Sequence, residues 1–183
     1  MRKLIVSTLI SLDGVFEDPR SWTGPYFDNT AAADSLAKLQ ESDAMLMGRG
    51  TYEYFAPAWS VATGPYPQRV NGMRKYVFSR TLPTADWNNS TVVVDDPVEA
   101  VAELKKQGDG HLMIYGYGRL SQTLLEHDLV DELVFAIHPV ILGKGASISR
   151  PAAPRTLQLA SVEQRDTGAV WITYAGRDSG NPK

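Results

Sequence analysis

Residues 111–121 read HLMIYGYGRLS, and the change of character along this stretch decides the fold class. His111–Tyr115 is an apolar run of strand length, Gly116-Tyr117-Gly118 is a turn, and Arg119–His127 has the pattern of a helix. The same passage from strand through small residues into helix recurs upstream. Ala44–Met47 runs into Gly48-Arg49-Gly50-Thr51 and a short helix through Phe55. Leu4–Ile10 is a β-branched run ended by the turn-prone pair Asp13-Gly14. Asp28 or Asn29 can cap a helix reaching about Glu41, with Leu36, Leu39 and Ala32 on one face.

Further along, Lys75–Ser79 and Thr91–Val94 read as strands. Asp96-Pro97 then opens a helix with proline at its first position, which stops before Gly108 and Gly110. Asp131–His138 is another strand, and Pro139–Ile148 a loop or strand bend. Residues 155–165 and 169–175 alternate like an antiparallel hairpin around Asp166-Thr167-Gly168. Residues 56–72 hold three prolines and two glycines and are expected to form a long surface excursion. Strand–helix alternation predicts an α/β fold of three layers. A twisted, mostly parallel sheet carries helices on both faces, with a C-terminal antiparallel hairpin at one edge. The chain is expected to form one domain over residues 1–177 with a polar tail over 178–183.

Composition bounds the function. Eighteen basic and 21 acidic side chains give a net charge of −3 without a basic block, against non-specific nucleic-acid binding. With no cysteine there is no disulfide framework, thiolate metal site or cysteine nucleophile, which fits a cytoplasmic setting. The run Leu4–Leu12 is short and interrupted by Ser7, Thr8 and Ser11, so neither a signal peptide nor a membrane span is expected. His111, His127 and His138 lack metal-ligand spacing, so no metal is expected, and no GxSxG elbow marks a serine hydrolase.

In open α/β sheets ligands sit at the carboxyl ends of strands, and three strand exits here are suited to phosphate. Met47-Gly48-Arg49-Gly50-Thr51 offers helix-terminal amides, a bidentate cation and a hydroxyl; its alternative is a helix cap with an exposed arginine. Val77-Phe78-Ser79-Arg80-Thr81 could grip the 2′-phosphate of an adenosine ribose, or be a surface arginine after an edge strand. Gly116-Tyr117-Gly118-Arg119-Leu120-Ser121 lets backbone approach a pyrophosphate, or is only a tight turn. It is not a Rossmann fingerprint, because Ser121 holds the third glycine position. Asp13 is either a turn former or a polar group at the pocket mouth. Tyr52, Tyr54, Phe55 and Trp59 are core packing or pocket lining.

The ordered set Ser11-Leu12-Asp13-Gly14, Met47-Gly48-Arg49-Gly50-Thr51-Tyr52-Glu53, Phe78-Ser79-Arg80, Gly116-Tyr117-Gly118-Arg119-Leu120 and His138–Gly145 resembles the dihydrofolate-reductase-like superfamily. More closely it resembles stand-alone relatives of the reductase domain of the bifunctional deaminase-reductase of riboflavin synthesis, over about residues 2–175. That resemblance implies a dihydrofolate-reductase-like fold, NADPH as cofactor, and reduction of a small heterocyclic or carbonyl substrate. By position, Gly48, Arg49, Gly50 and Thr51 would hold cofactor phosphates, with Ser79 and Arg80 near the 2′-phosphate. Gly116, Tyr117, Gly118, Arg119 and Leu120 would take the pyrophosphate and nicotinamide side. Leu9, Leu12 and Gly14 would border the nicotinamide. Asp13 is the candidate catalytic contact.

Two departures accompany the resemblance. The first-helix carboxylate of folate reductases falls at Ala32, so dihydrofolate reduction is not expected. Tyr117 replaces a glycine and would narrow the cofactor site. A non-catalytic NADP(H)-binding protein or sensor is the alternative. A homodimer is expected through the terminal strands, where Leu157, Leu159, Val170, Trp171 and Ile172 are apolar.

Overall fold

The computed structural model describes residues 2–148 and 154–176; the polar tail expected over 178–183 lies outside the described residues. In chain order the elements are β1 (Leu4–Ser11), α1 (Asn29–Gln40), β2 (Ser42–Gly48), α2 (Arg49–Trp59), α3 (Pro65–Gly72), β3 (Arg74–Phe78) and β4 (Ser90–Val93). Then follow α4 (Pro97–Leu104), β5 (His111–Tyr115), α5 (Arg119–Glu126), β6 (Glu132–His138), β7 (Gln158–Gln164) and β8 (Val170–Ala175). The strands form one sheet in the order β4-β3-β2-β5-β1-β6-β8-β7. All pairings from β4 to β6 are parallel, and β6–β8 and β8–β7 are antiparallel. The fold is therefore the α/β sheet with a terminal antiparallel hairpin that the alternation predicts.

Alternating side chains send neighbouring residues to opposite faces, and both faces of the central strands are covered. Leu4 and Val6, Ala44 and Leu46, and Leu112 and Ile114 pack on one side with Val101 of α4 and Leu124 of α5. On the other, Met45 and Met47 meet Leu39 of α1, Tyr52 of α2 and Val70 of α3. Ile5, Met113 and Val134 pack there with Ala31 and Trp171. Those central runs (LIV, MLM, LMI) read as continuously apolar because water reaches neither side.

Three local expectations need correction. Residues 56–72 are not a loose excursion: α2 continues to Trp59 with Pro57 inside it, and α3 begins at Pro65. Pro65 and Pro67 sit in the first turn of α3, where a missing N–H costs nothing. The fully buried residues of α1 are Ala31 and Leu39, with Ala32 only half-buried, because the face that packs against Ile5, Met113 and Trp171 is centred on Ala31. At the edge hairpin, Trp171 is not surface: it is 5% exposed beneath α1, flanked by Lys38 and Arg165. Leu157 also packs on the core, so Leu159 and Val162 are the strongly exposed apolar residues of the hairpin.

The topology places a crevice. From β2 the chain crosses through α2 and α3 to β3 on one side of the sheet order. From β5, the neighbour of β2, it crosses through α5 to β6 on the other. Adjacent strands whose crossovers diverge, on opposite faces, leave a gap above their carboxyl ends, where ligands bind in such sheets.

Candidate functional site

A cavity of about 460 Å³ opens at that gap. Its walls come from the exits of four parallel strands. β2 leads into Gly48, Arg49, Gly50 and Thr51, and β3 through Phe78 into Ser79 and Arg80. β4 contributes Val93, Val94 and Asp95, and β5 ends in Tyr115 and leads into Gly116, Gly118, Arg119 and Leu120. The size is within the usual range for small-molecule pockets, roughly 300–1,000 Å³.

The glycines make much of this surface bare backbone. A Cβ on Gly48, Gly50, Gly116 or Gly118 would meet no protein atom within 4 Å. Gly116 also has φ +96°, a conformation glycine adopts without strain. Its turn is closed from within: Ser121 Oγ donates to Gly116 O at 2.8 Å, and Gly116 N donates to Ser7 O at 2.9 Å. The hydroxyl of Ser121 thus does local work at the position a Rossmann turn gives to glycine. Gly48 and Gly118 are the N-caps of α2 and α5, so two sets of helix-terminal amides border the same opening.

The polar side chains divide into committed and uncommitted groups. Arg49 Nε donates to Glu53 at 2.7 Å and its Nη1 to Thr81 Oγ1 at 3.0 Å, tying the start of α2 to the exit of β3. Ser79 Oγ accepts from Thr81 N and Leu82 N. Asp96 caps α4 through Val98 N and Glu99 N. Arg80, Asp95 and, at the exit of β5, Arg119 have no side-chain hydrogen bond or ion pair with the described residues. Asp95 was not among the residues singled out from the sequence. The adjacent Asp96, immediately before Pro97, accounts for the helix start, and nothing in the sequence marks Asp95 for a role of its own.

Tyr115 is a second residue that sequence reasoning missed. It borders the cavity at the end of β5 and packs edge-on against Phe55 of α2 at 6.3 Å. Its hydroxyl interacts with Tyr66 of α3 and Ser35 of α1, and burial holds its ionisation well above the usual range. Three helices thus converge on one cleft residue. A tyrosine at a strand end is too common for the sequence to single out.

Other candidates do not line the cavity. Tyr117 turns into the core, 9% exposed and edge-on to Phe135 at 5.8 Å and Phe16 at 6.5 Å, so its ring does not narrow the cleft. Leu9 is partly buried against the core around α1, and Leu12 is 63% exposed. Gly14 has φ +81° and lies against Ile148. Asp13, the candidate catalytic contact, has its carboxylate engaged as a clamp within the chain. Its carboxylate accepts from Ser11 Oγ at 2.6 Å, Gly143 N at 2.8 Å and Leu142 N at 3.2 Å. Those bonds, Ser11 first, bring its pKa down to about 2. A carboxylate held so firmly ionised is a poor proton donor near neutral pH.

The model of the RibD C-terminal domain family matches residues 2–171. The chain belongs to this family. The chain is 28% identical to the uncharacterized Bacillus subtilis protein YyaP, with 94% of each chain covered. B. subtilis YwjB is 25% identical over 89% of this chain and 92% of that one. Among solved structures, a putative riboflavin biosynthesis protein from Shewanella sp. PV-4 superimposes with a TM-score of 0.77 at 24% identity, covering 96% of this chain and 99% of that one. The Thermotoga maritima diaminohydroxyphosphoribosylaminopyrimidine deaminase/5-amino-6-(5-phosphoribosylamino)uracil reductase superimposes with a TM-score of 0.68 at 16% identity. It covers 96% of this chain but 57% of that larger protein. These likenesses establish the RibD reductase-like fold.

Proposed function

We propose that this RibD C-terminal domain protein is an NADPH-dependent reductase of a small heterocyclic or carbonyl substrate, akin to 5-amino-6-(5-phosphoribosylamino)uracil reductase. The observation that carries the reading is the cleft of bare glycine backbone between two helix N-termini, with Arg80, which has no partner among the described residues, at one end. Amides, helix dipoles and a guanidinium are the donor set a dinucleotide's phosphates require, and side chains at the four glycines would intrude on it. From Arg80 after β3 the cavity wall runs past the exit of β2 to that of β5, so a dinucleotide with a phosphate on Arg80 would extend towards Gly116 and Gly118. NADPH would supply the hydride when bound.

The protein's own share is to orient two rings and exclude water. Gly116 and Gly118 would admit the pyrophosphate, and Gly48, Gly50 and Thr51 would bind through backbone amides and a hydroxyl. Arg49 would both meet phosphate and brace the exit of β3 through Thr81. Calorimetric titration with NADPH, followed by NADPH oxidation against a pyrimidine and carbonyl panel, tests the reading. Failure to bind NADPH overturns it. One observation favours the alternative, a nucleotide-binding protein without turnover: Asp13 is too firmly ionised to supply a proton. Binding without oxidation across the panel is its signature.

Dihydrofolate is not the substrate in this reading. The carboxylates of α1 are committed elsewhere, Asp28 to the helix cap and Asp34 to Arg165 at 2.6 Å. Efficient dihydrofolate turnover by the unmodified protein would contradict this. We also propose a homodimer through β7, an edge strand exposed along its whole length. Light scattering should give twice the 20.1 kDa chain mass; a monomer across micromolar concentrations would count against it.

A further inference from the structure

At one end of the cleft, two opposite charges sit on neighbouring strand exits without pairing. β3 and β4 are parallel, with Phe78 opposite Val93, and Ser79 N donates to Val93 O at 3.0 Å, extending the register beyond the strand. Arg80 and Asp95 each follow two residues after those partners, on exits about 4.8 Å apart. Ion pairing would be the simple outcome, yet they form none, and both border the cavity. Their neighbours are committed: Ser79 caps its own turn, Asp96 caps α4, and Arg49 is paired with Glu53. What is left uncommitted at this end is one cation and one carboxylate.

We propose that Arg80 and Asp95 read the ribose of a bound nucleotide as an opposed pair, Arg80 taking a phosphate monoester and Asp95 accepting a hydrogen bond from a free ribose hydroxyl. This rests on the cofactor reading above and deepens it. A guanidinium favours the ribose phosphate of NADPH through charge-assisted bonds. A carboxylate is repelled by that phosphate, which carries about −1.5 to −2 charges near neutral pH, and is better satisfied by the diol of NADH. The cleft therefore prefers NADPH without excluding NADH, and Asp95 is the residue that limits the preference. Asp95 is a specificity determinant, and Arg80 its counterweight.

The test is calorimetric titration of the intact protein, Arg80→Ala and Asp95→Asn with NADPH and with NADH. Both residues are exposed, so melting temperatures should hold near that of the unmodified protein. Asp95→Asn is expected to raise the NADPH-to-NADH affinity ratio about tenfold, by weakening NADH without weakening NADPH. Arg80→Ala is expected to lower that ratio by about tenfold or more, and added salt to compress it in the unmodified protein. An Asp95→Asn protein with an unchanged or lowered ratio overturns the inference while the cofactor reading stands. An unmodified protein that binds neither cofactor at millimolar concentration overturns both.

Discussion

The exits of β2 to β5 and the exits of β1 and β6 lie along one edge of the same sheet, yet they treat their polar groups in opposite ways. After β1 and β6 the chain forms a ribbon in which donors and acceptors answer one another. Leu12 N donates to Val140 O, Phe16 N to Ala146 O, Ala146 N to Glu17, and Leu142 N and Gly143 N to Asp13. After β2 and β5 the backbone is glycine that no protein side chain covers, and after β3 and β4 Arg80 and Asp95 have no partner among the described residues. The same contrast separates a cation within β3 from one just past its end. Lys75, near the start of β3, is fully buried and donates to the carbonyls of Asn71, Met73 and Asn88 with its ammonium over Trp87. Arg80, just past the end of β3, is exposed and has no partner among the described residues. Buried Lys75 must find its partners within the chain, whereas the exposed Arg80 and Asp95 are left open to solvent or to a ligand.

The largest test of that contrast is steric. Gly118→Val should weaken NADPH binding by at least about a hundredfold, because the side chain would occupy backbone surface that the pyrophosphate must approach. Gly118 has φ −78°, so valine is not strained there, and the cost to folding should be about 1 kcal/mol for a poorer N-cap. Calorimetry and a thermal melt separate the two effects. Retained NADPH affinity would remove the glycine surface from the site.

The second test falls on the satisfied cation. Lys75→Met should destabilise the fold by about 1–3 kcal/mol, because buried carbonyls lose their donor. Burial brings the Lys75 pKa down to about 8. Between that value and the ordinary 10.5 the unfolded chain holds a proton that the folded chain releases, so this group makes stability rise with pH across the window. Denaturation series at pH 8 and pH 10 should show the unmodified protein gaining on Lys75→Met. A constant difference would mean that the ammonium stays protonated, fully compensated by its carbonyls.

What was legible in the sequence follows the same division. Strand runs, the cap at Asp28 and the glycine turns are local signals, so β1 to β6, α1 and α4 appear where the pattern predicts them. The elements that were misread depend on tertiary context. Pro57 and Pro65 look like breakers, yet one sits inside α2 and the other starts α3. Trp171 looks like exposed surface until α1 covers it, since no local pattern records which helix docks on a strand. Within the site, the turns after β2, β3 and β5 were legible because each announces itself within a few residues. The opposition of Arg80 and Asp95 was not, because the sheet register joins positions 15 residues apart.

The smallest expected effect concerns the ribbon, where Asp13 serves as a clamp. Its pKa of about 2 lies below the ordinary 3.8, the sign of a carboxylate stabilised in the folded state. Such a group contributes stability above its unfolded pKa, and the contribution fades as pH falls from about 4 towards 2. The effect should be local, since the acceptors tie residues 11–13 to 142–143 and leave the sheet hydrogen bonds intact. At pH 7, Asp13→Asn should speed hydrogen exchange at Leu142 N and Gly143 N, with little change in the melting temperature, because an exposed clamp adds little to global stability. As pH is lowered towards 2 the unmodified protein should approach the variant. Equal protection at pH 7 would show that the ribbon's backbone bonds alone hold it, and would return Asp13 to the pool of groups available to a substrate.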